Sequence, residues 1–170
     1  MAMFARLAKH RYALRIALGA LAAALLAYGL LANGPKALRA AHPLPARTQS
    51  GKPTTLAQLH GRAAVVVFFA SWCDGCKHEA PAIARFARSP AGRGRVVAID
   101  YDDGADWRSF LREYGWRFPV LDDSIGETGA AYQIRGLPTA VFLDPRGRIA
   151  SASSVPQTVA SLTRGLSAAA

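Results

Sequence analysis

The feature that most constrains this chain is an apolar run that leads directly into a Cys-x-x-Cys pair. Residues 63–69 read Ala-Ala-Val-Val-Val-Phe-Phe, which is typical of a central strand buried on both faces. Cys73 and Cys76 follow after a short turn, and the apolar spacing after them predicts a helix from Cys73 to about Ala87. A strand that passes into a helix in this way indicates an α/β sheet with the two cysteines at the strand's end.

These two cysteines are the only ones in the chain. A disulfide framework in a small secreted domain uses more of them, spread along the sequence. A four-cysteine zinc site needs a second pair, and a disulfide across two residues constrains little. Free N–H groups at a helix start stabilise a thiolate, so Cys73 is the candidate nucleophile and Cys76 its disulfide partner. The pair therefore indicates thiol–disulfide exchange.

The rest of the chain alternates between strand and helix patterns. Pro81 lies inside the first helix and is expected to kink it, because proline lacks the backbone N–H. Residues 144–147, Asp-Pro-Arg-Gly, predict a hairpin turn. The further predicted strands are 95–100, 119–121, 139–143 and 148–153, and the further predicted helices are 107–114, 125–132 and 157–166. This order predicts an α/β sandwich around a mixed central sheet.

The N-terminal part predicts a membrane segment. Residues 16–32 carry no charge, and with residues 12–15 they reach the length that a membrane-spanning helix needs. The basic residues before this run predict that the N-terminus, residues 1–11, lies in the cytoplasm. A cleaved signal peptide is the alternative for 12–32, although the run is long and its end offers poor cleavage sites. The prediction continues with a proline-punctuated linker over 33–47 and one domain over 48–170.

The net charge of +10 does not indicate nucleic-acid binding. Six of the 21 basic residues flank the N-terminal apolar run, and all 11 acidic residues lie beyond residue 42. The later part is therefore only +4, and its basic residues are scattered singly among the acids. Without a basic stripe with interleaved aromatic residues, we interpret this surface as an ordinary solvated one.

Several motifs together resemble a known family. They are Trp72-Cys73-x-x-Cys76 with Pro81 five residues later, Gly136-Leu137-Pro138-Thr139, Gly51-Lys52 before the first buried strand, and Leu143-Asp144-Pro145-Arg146-Gly147. Over residues 48–153 the chain resembles thioredoxin-like proteins, and specifically their TlpA/ResA/DsbE branch of membrane-anchored periplasmic disulfide reductases. The resemblance implies a thioredoxin-like three-layer sandwich behind one N-terminal transmembrane helix.

The resemblance also implies roles for particular residues. Pro138 would follow a cis peptide bond and face the cysteine pair, and Trp72, Leu137 and Pro138 would form the apolar surface that docks a substrate strand. Glu79 corresponds to an active-site glutamate of this branch, one helical turn after Cys76 and within reach of its proton. From spacing alone, an ordinary solvated acid on the helix surface is the better interpretation of Glu79, and only the resemblance makes the active-site role an equal alternative.

The implied function is reduction of disulfides in exported proteins, for example in cytochrome c maturation. The domain would face the periplasm from the bacterial inner membrane, and a membrane electron donor would recycle it. No cofactor or metal is expected. Two alternatives stay open: a disulfide oxidase, and a copper-handling module that uses Cys73, Cys76 and His78. The chain departs from the pattern of the family that it resembles, with Gly75 where the branch often has proline and Val67 where thioredoxin has a buried aspartate.

Overall fold

The computed structural model describes residues 19–21, 39–41, 59, 61–101 and 107–170. The chain divides into two compact units, residues 1–37 and 38–170. In the first unit residues 19–21 are helical; the rest of the predicted membrane segment, 12–32, and the predicted N-terminus, 1–11, lie outside the described residues. No helix within the described part is both long and apolar enough to cross a membrane.

The second unit is built on a mixed sheet, as the strand pattern predicts. Within the described residues it has six strands in the order β1-β6-β5-β2-β3-β4. β2 pairs in parallel with β3, and β3 with β4, whereas β5, β6 and β1 join in antiparallel fashion. The strands are β1 Arg39–Ala40, β2 Ala64–Phe69, β3 Val96–Tyr101, β4 Val120–Asp123, β5 Thr139–Leu143 and β6 Arg148–Ser153.

Helices cover both faces of this sheet, which gives the three predicted layers. They are α1 Asp74–Arg88, α2 Trp107–Tyr114, α3 Glu127–Ala131 and α4 Val159–Ala168. β2 is buried on both sides. Its side chains Val65, Val67 and Phe69 point to one core with α1, α2 and α4, and Val66 and Phe68 pack in a second core with Tyr132, the residue after α3. The predicted thioredoxin-like α/β fold is confirmed.

The first strand comes from the segment that the sequence predicts to be a linker, 33–47. Arg39 and Ala40 pair with Arg148 and Ile149 of β6, and the N–H of Ala41 donates to the carbonyl of Gly147 at 3.0 Å. Arg39 and Ala40 of this segment therefore belong to the sheet. An extended segment adds to an open sheet edge through backbone groups alone, so no side-chain pattern announces it.

Four elements meet at one end of the sheet, where the parallel strand β2 ends. α1 begins there after β2, and β5 begins at the same end because it is antiparallel to β2. β6 is antiparallel to β5 and therefore ends there too. The carboxyl ends of parallel strands are where α/β sheets place ligand and catalytic groups. The candidate site lies at this end of the sheet.

Candidate active site

Cys73 and Cys76 form a disulfide with their Cα atoms 5.2 Å apart. Helix α1 begins one residue later than predicted, and Cys73 is its N-cap. The backbone N–H of Cys76 donates to the Sγ of Cys73 at 3.1 Å. A donor aimed at this sulfur from a helix start stabilises a thiolate there once the disulfide is reduced. Cys73 is 7% exposed and Cys76 1%, so the predicted nucleophile is the more exposed residue of the pair.

The predicted docking residues lie around this disulfide. Trp72, directly before Cys73, is 59% exposed, whereas Leu137 is half-buried and Pro138 buried. The peptide bond between Leu137 and Pro138 is cis, as the resemblance implies. A Cβ added to Gly75 would lie 3.1 Å from the Cδ of Pro138, so the proline ring packs directly against the dipeptide between the cysteines. The glycine permits this close approach.

Glu79 is a buried acid rather than a surface one. It is 3% exposed, although the preceding residue of the helix, His78, is exposed to solvent. The Oε2 atom accepts a hydrogen bond from the backbone N–H of Gln157 at 2.8 Å, and Oε1 has no hydrogen-bond partner among the described residues. Burial raises the pKa of Glu79 from 4.5 to about 7, and the Gln157 N–H acts in the opposite direction. The alternative of an ordinary surface acid is therefore wrong.

Gln157 is the residue of this site that the sequence does not predict. Its side-chain amide donates to the Oγ of Ser153 at 3.0 Å and to the carbonyl of Val155 at 2.6 Å. Its side-chain oxygen accepts from the Oγ of Ser161 at 3.0 Å. These bonds hold the backbone between β6 and α4 so that the Gln157 N–H points at Glu79. The two residues are 78 positions apart in sequence, and no motif marks the contact.

The loop that carries the cis proline is held by Thr139. Its hydroxyl donates to the carbonyl of Gly136 at 2.8 Å and lies 2.9 Å from the Oγ of Ser154. Ser154 belongs to the same connection between β6 and α4 as Gln157. One short segment thus contacts both the first residue of β5 and the buried carboxyl on α1.

The remaining polar residues near the pair belong to the surface. Asp74 and Lys77 form an exposed salt bridge of 3.0 Å, and His78 is exposed. Within the part of the chain that the structure describes, no cluster of three or more His, Cys, Asp or Glu side chains is arranged to hold a metal ion. Val67 is fully buried in the core, so the strand offers no acid behind the disulfide, and Glu79 is the acid that follows Cys76 by one turn.

Chemically, this arrangement contains the parts of a dithiol exchange centre. A sulfur at a helix start receives an N–H bond, a second sulfur lies deeper, and a buried carboxyl with a pKa near neutrality is one turn away. A carboxyl of that kind accepts or returns a proton near neutral pH.

Sequence comparisons agree with this geometry. The profile of the AhpC/TSA family matches residues 37–152. The chain is 37% identical over 123 residues to the soluble secreted antigen MPT53 of Mycobacterium tuberculosis, covering 71% of this chain and 70% of the relative. It is 31% identical to the thioredoxin-like protein YneN of Bacillus subtilis and 29% identical to the thiol-disulfide oxidoreductase ResA of the same organism, over 61% and 59% of this chain. The chain spans only 62% of the length of YneN and 57% of that of ResA.

A solved structure is also similar to most of this chain. It is a secreted disulfide oxidoreductase of Mycobacterium tuberculosis that is homologous to E. coli DsbE. It superposes with a TM-score of 0.61 and 29% identity, covering 75% of this chain and 96% of that one. With a profile matched over most of its length and relatives named as thiol-disulfide oxidoreductases, this chain belongs to the thioredoxin-like AhpC/TSA family.

Proposed function

We propose that this protein is a thiol–disulfide oxidoreductase that reduces disulfides of exported proteins. The observation that carries the proposal is the Cys73–Cys76 pair at the start of α1 with the buried carboxyl of Glu79 one turn away. Family membership supports the reaction class. A buried carboxyl one helical turn from Cys76, with a pKa raised to about 7, supports a resolving step that runs at neutral pH.

The reaction starts with both cysteines reduced. The thiolate of Cys73 attacks one sulfur of the substrate disulfide, forming a mixed disulfide and releasing the other substrate sulfur as a thiolate that takes a proton. Cys76 then gives its proton to the carboxylate of Glu79 and attacks the Sγ of Cys73. This step forms the Cys73–Cys76 disulfide, breaks the mixed disulfide and releases the second substrate thiol. The substrate gains two electrons, and the protein loses two.

Docking involves the exposed Trp72 and the Leu137–Pro138 turn. Trp72 offers an exposed apolar surface next to Cys73, and the ring of Pro138 packs on Gly75 between the two cysteines. An extended substrate segment pairs with the backbone before Pro138 and places its disulfide next to Cys73. The loop is held in position by the bonds of Thr139.

The proposed setting is the periplasmic face of the bacterial inner membrane. The predicted anchor over 12–32 and the secreted relative support export of the domain. In an oxidising compartment a reductase has to be re-reduced, so the proposal includes a membrane electron donor. The clients are exported proteins whose thiols have to stay reduced, among them apocytochrome c.

Trapping of mixed disulfides tests the exchange and the order of the cysteines. In Cys76→Ala, attack by Cys73 proceeds but resolution cannot, so client proteins accumulate as mixed disulfides that mass spectrometry identifies. Cys73→Ala should trap almost nothing. If Cys73→Ala traps as well as Cys76→Ala does, the nucleophile is the other cysteine; if neither traps a client, the exchange reaction itself is refuted.

The direction of electron flow is tested by the equilibrium potential of the pair against glutathione. A reductase requires a value closer to about −270 mV than to about −120 mV, which are typical of a strong reductant and a strong oxidant of this fold. A potential near about −120 mV would establish the oxidase alternative instead. Copper titration of the reduced protein covers the remaining alternative, because tight Cu(I) binding needs both thiolates.

A further inference from the structure

A cavity of about 330 Å³ lies at the end of the sheet opposite the disulfide. Val96 and Val97, at the start of β3, line it, whereas Cys73 follows the end of the parallel strand β2. The cavity also contacts Ala84 and Arg88 near the C-terminal end of α1. At about 1.5 Å per helical residue, Arg88 is about 20 Å along the helix from the cysteine at its start. The cavity is therefore separate from the candidate active site.

Small and apolar residues supply most of the lining of this cavity. Ala84 and Ala87 on α1 face Gly115, which follows α2. Val96 and Phe118 supply apolar walls. Its volume is at the lower end of the roughly 300–1,000 Å³ that is usual for small-molecule sites, which are likewise mostly apolar with a few polar groups.

The polar groups at this cavity carry only one sign of charge. Arg88, Arg93 and Arg117 line it, and all three are exposed. Among the described residues no acidic side chain lines the cavity, and no ion pair joins any of the three arginines to an acid. Three uncompensated guanidinium groups at an apolar cleft attract an anion, and their planar donors match a carboxylate in a bidentate manner.

We propose that this cavity binds the anion of a medium-chain carboxylic acid. The aliphatic chain lies in the apolar interior against Val96 and Phe118, where its removal from water supplies the affinity. The carboxylate lies at the opening among Arg88, Arg93 and Arg117. An uncharged aliphatic molecule of the same length cannot pair with the arginines, and a short carboxylate cannot fill the apolar interior. This ligand site does not depend on the thiol chemistry at the other end of the sheet.

The test is photo-crosslinking of the full-length, disulfide-intact protein with a decanoate analogue that carries a diazirine in its chain. Mass spectrometry of the labelled protein should find the label on residues that line the cavity, such as Ala84 and Phe118. Unlabelled decanoate should compete, whereas decanol at the same concentration should not. Label spread over the surface, or equal competition by decanol, would refute the site or the role of charge.

Two variants and a matched control complete the test. The triple variant Arg88→Gln/Arg93→Gln/Arg117→Gln should weaken competition by decanoate about tenfold or more, because charge-assisted pairing is lost. Ala87→Phe should block labelling by filling the interior while leaving the arginines in place. Arg164→Gln, which changes an exposed arginine on α4 away from the cavity, should behave as the wild type. If the triple variant binds decanoate as tightly as Arg164→Gln does, the proposal is wrong.

Each variant is also assayed for its Cys73–Cys76 redox potential, which the cavity substitutions should leave unchanged. This readout shows that the variants are folded. It also separates the ligand site from the proposed reductase function, since either can fail while the other stands.

Discussion

Replacing Glu79 by glutamine should change the way in which stability depends on pH. Burial raises the pKa of this carboxyl from 4.5 to about 7 in the folded protein, and in the unfolded chain the carboxyl returns to its ordinary value. Between these two pH values the folded state binds the proton and the unfolded state does not, so the free energy of unfolding falls as pH rises. At about 1.4 kcal/mol per pH unit, the total loss is about 3 kcal/mol. A glutamine side chain does not titrate in this range, so the variant should lack this loss.

The measurement is urea unfolding of the wild type and of Glu79→Gln at a series of pH values, with the disulfide intact. Neither cysteine titrates in that state, and the other acids are common to both proteins and cancel in the difference. The free energy of unfolding of the wild type minus that of the variant should fall by about 3 kcal/mol from acidic to slightly alkaline pH, with no further fall well above the folded pKa. Glu113→Gln, which changes an exposed acid on α2, controls for the substitution itself.

A difference that stays flat over this range would refute the reasoning. It would mean that Glu79 is solvated enough to keep an ordinary pKa, and that it is no better placed than a surface acid to exchange a proton with Cys76 near neutral pH. A difference that rises with pH would be a stronger contradiction, because it would require that the folded protein stabilises the carboxylate.

Three further predictions concern packing, the proton acceptor and topology. Gly165→Ala should lower the free energy of unfolding by about 1–3 kcal/mol, because the new Cβ would meet a buried ring of β5, whereas Gly136→Ala, with no atom within 4 Å, serves as the control in the same urea titration. Gln157→Pro removes the backbone N–H that lowers the pKa of Glu79, so the fall of the free energy of unfolding with pH should extend to higher pH in this variant than in the wild type. If the fall ends at the same pH in both proteins, the hydrogen bond does not act on the pKa of Glu79. If residues 12–32 form an anchor, the protein should stay in the membrane fraction after an alkaline wash, and a soluble form that begins near residue 33 would indicate a cleaved signal peptide.

The parts of the fold that the sequence predicts well are those with local signals. The continuous apolar run predicts β2 to within one residue, because a strand buried on both faces leaves no polar position. α1 extends from Asp74 to Arg88, against a predicted 73–87, and passes through Pro81. The one-residue shift at its start has a physical reason: Cys73 has extended backbone angles and caps the helix with its sulfur.

The parts that the sequence does not predict depend on contacts between distant residues. Spacing cannot distinguish a buried from a solvated Glu79, because burial is decided by the segment before α4, nearly eighty residues later. The pairing of β1 with β6 uses backbone groups without a residue preference. The cavity is lined by Ala84 of α1 and by Gly115 after α2, and neither position carries a local sequence signal for a cavity.

The connection between β6 and α4 links the two halves of the proposed chemistry. Ser154 contacts Thr139, the first residue of β5 after the cis proline, and three residues later Gln157 donates to Glu79. The side chain of Gln157 donates a hydrogen bond to Ser153 at the end of β6 and accepts one from Ser161 of α4. The proposed docking backbone and the proposed proton acceptor therefore depend on the same few hydrogen bonds. Because Pro138 also packs on Gly75 between the cysteines, the disulfide, the docking loop and the buried carboxyl form one continuous set of contacts, and a substitution in the connection acts on all three.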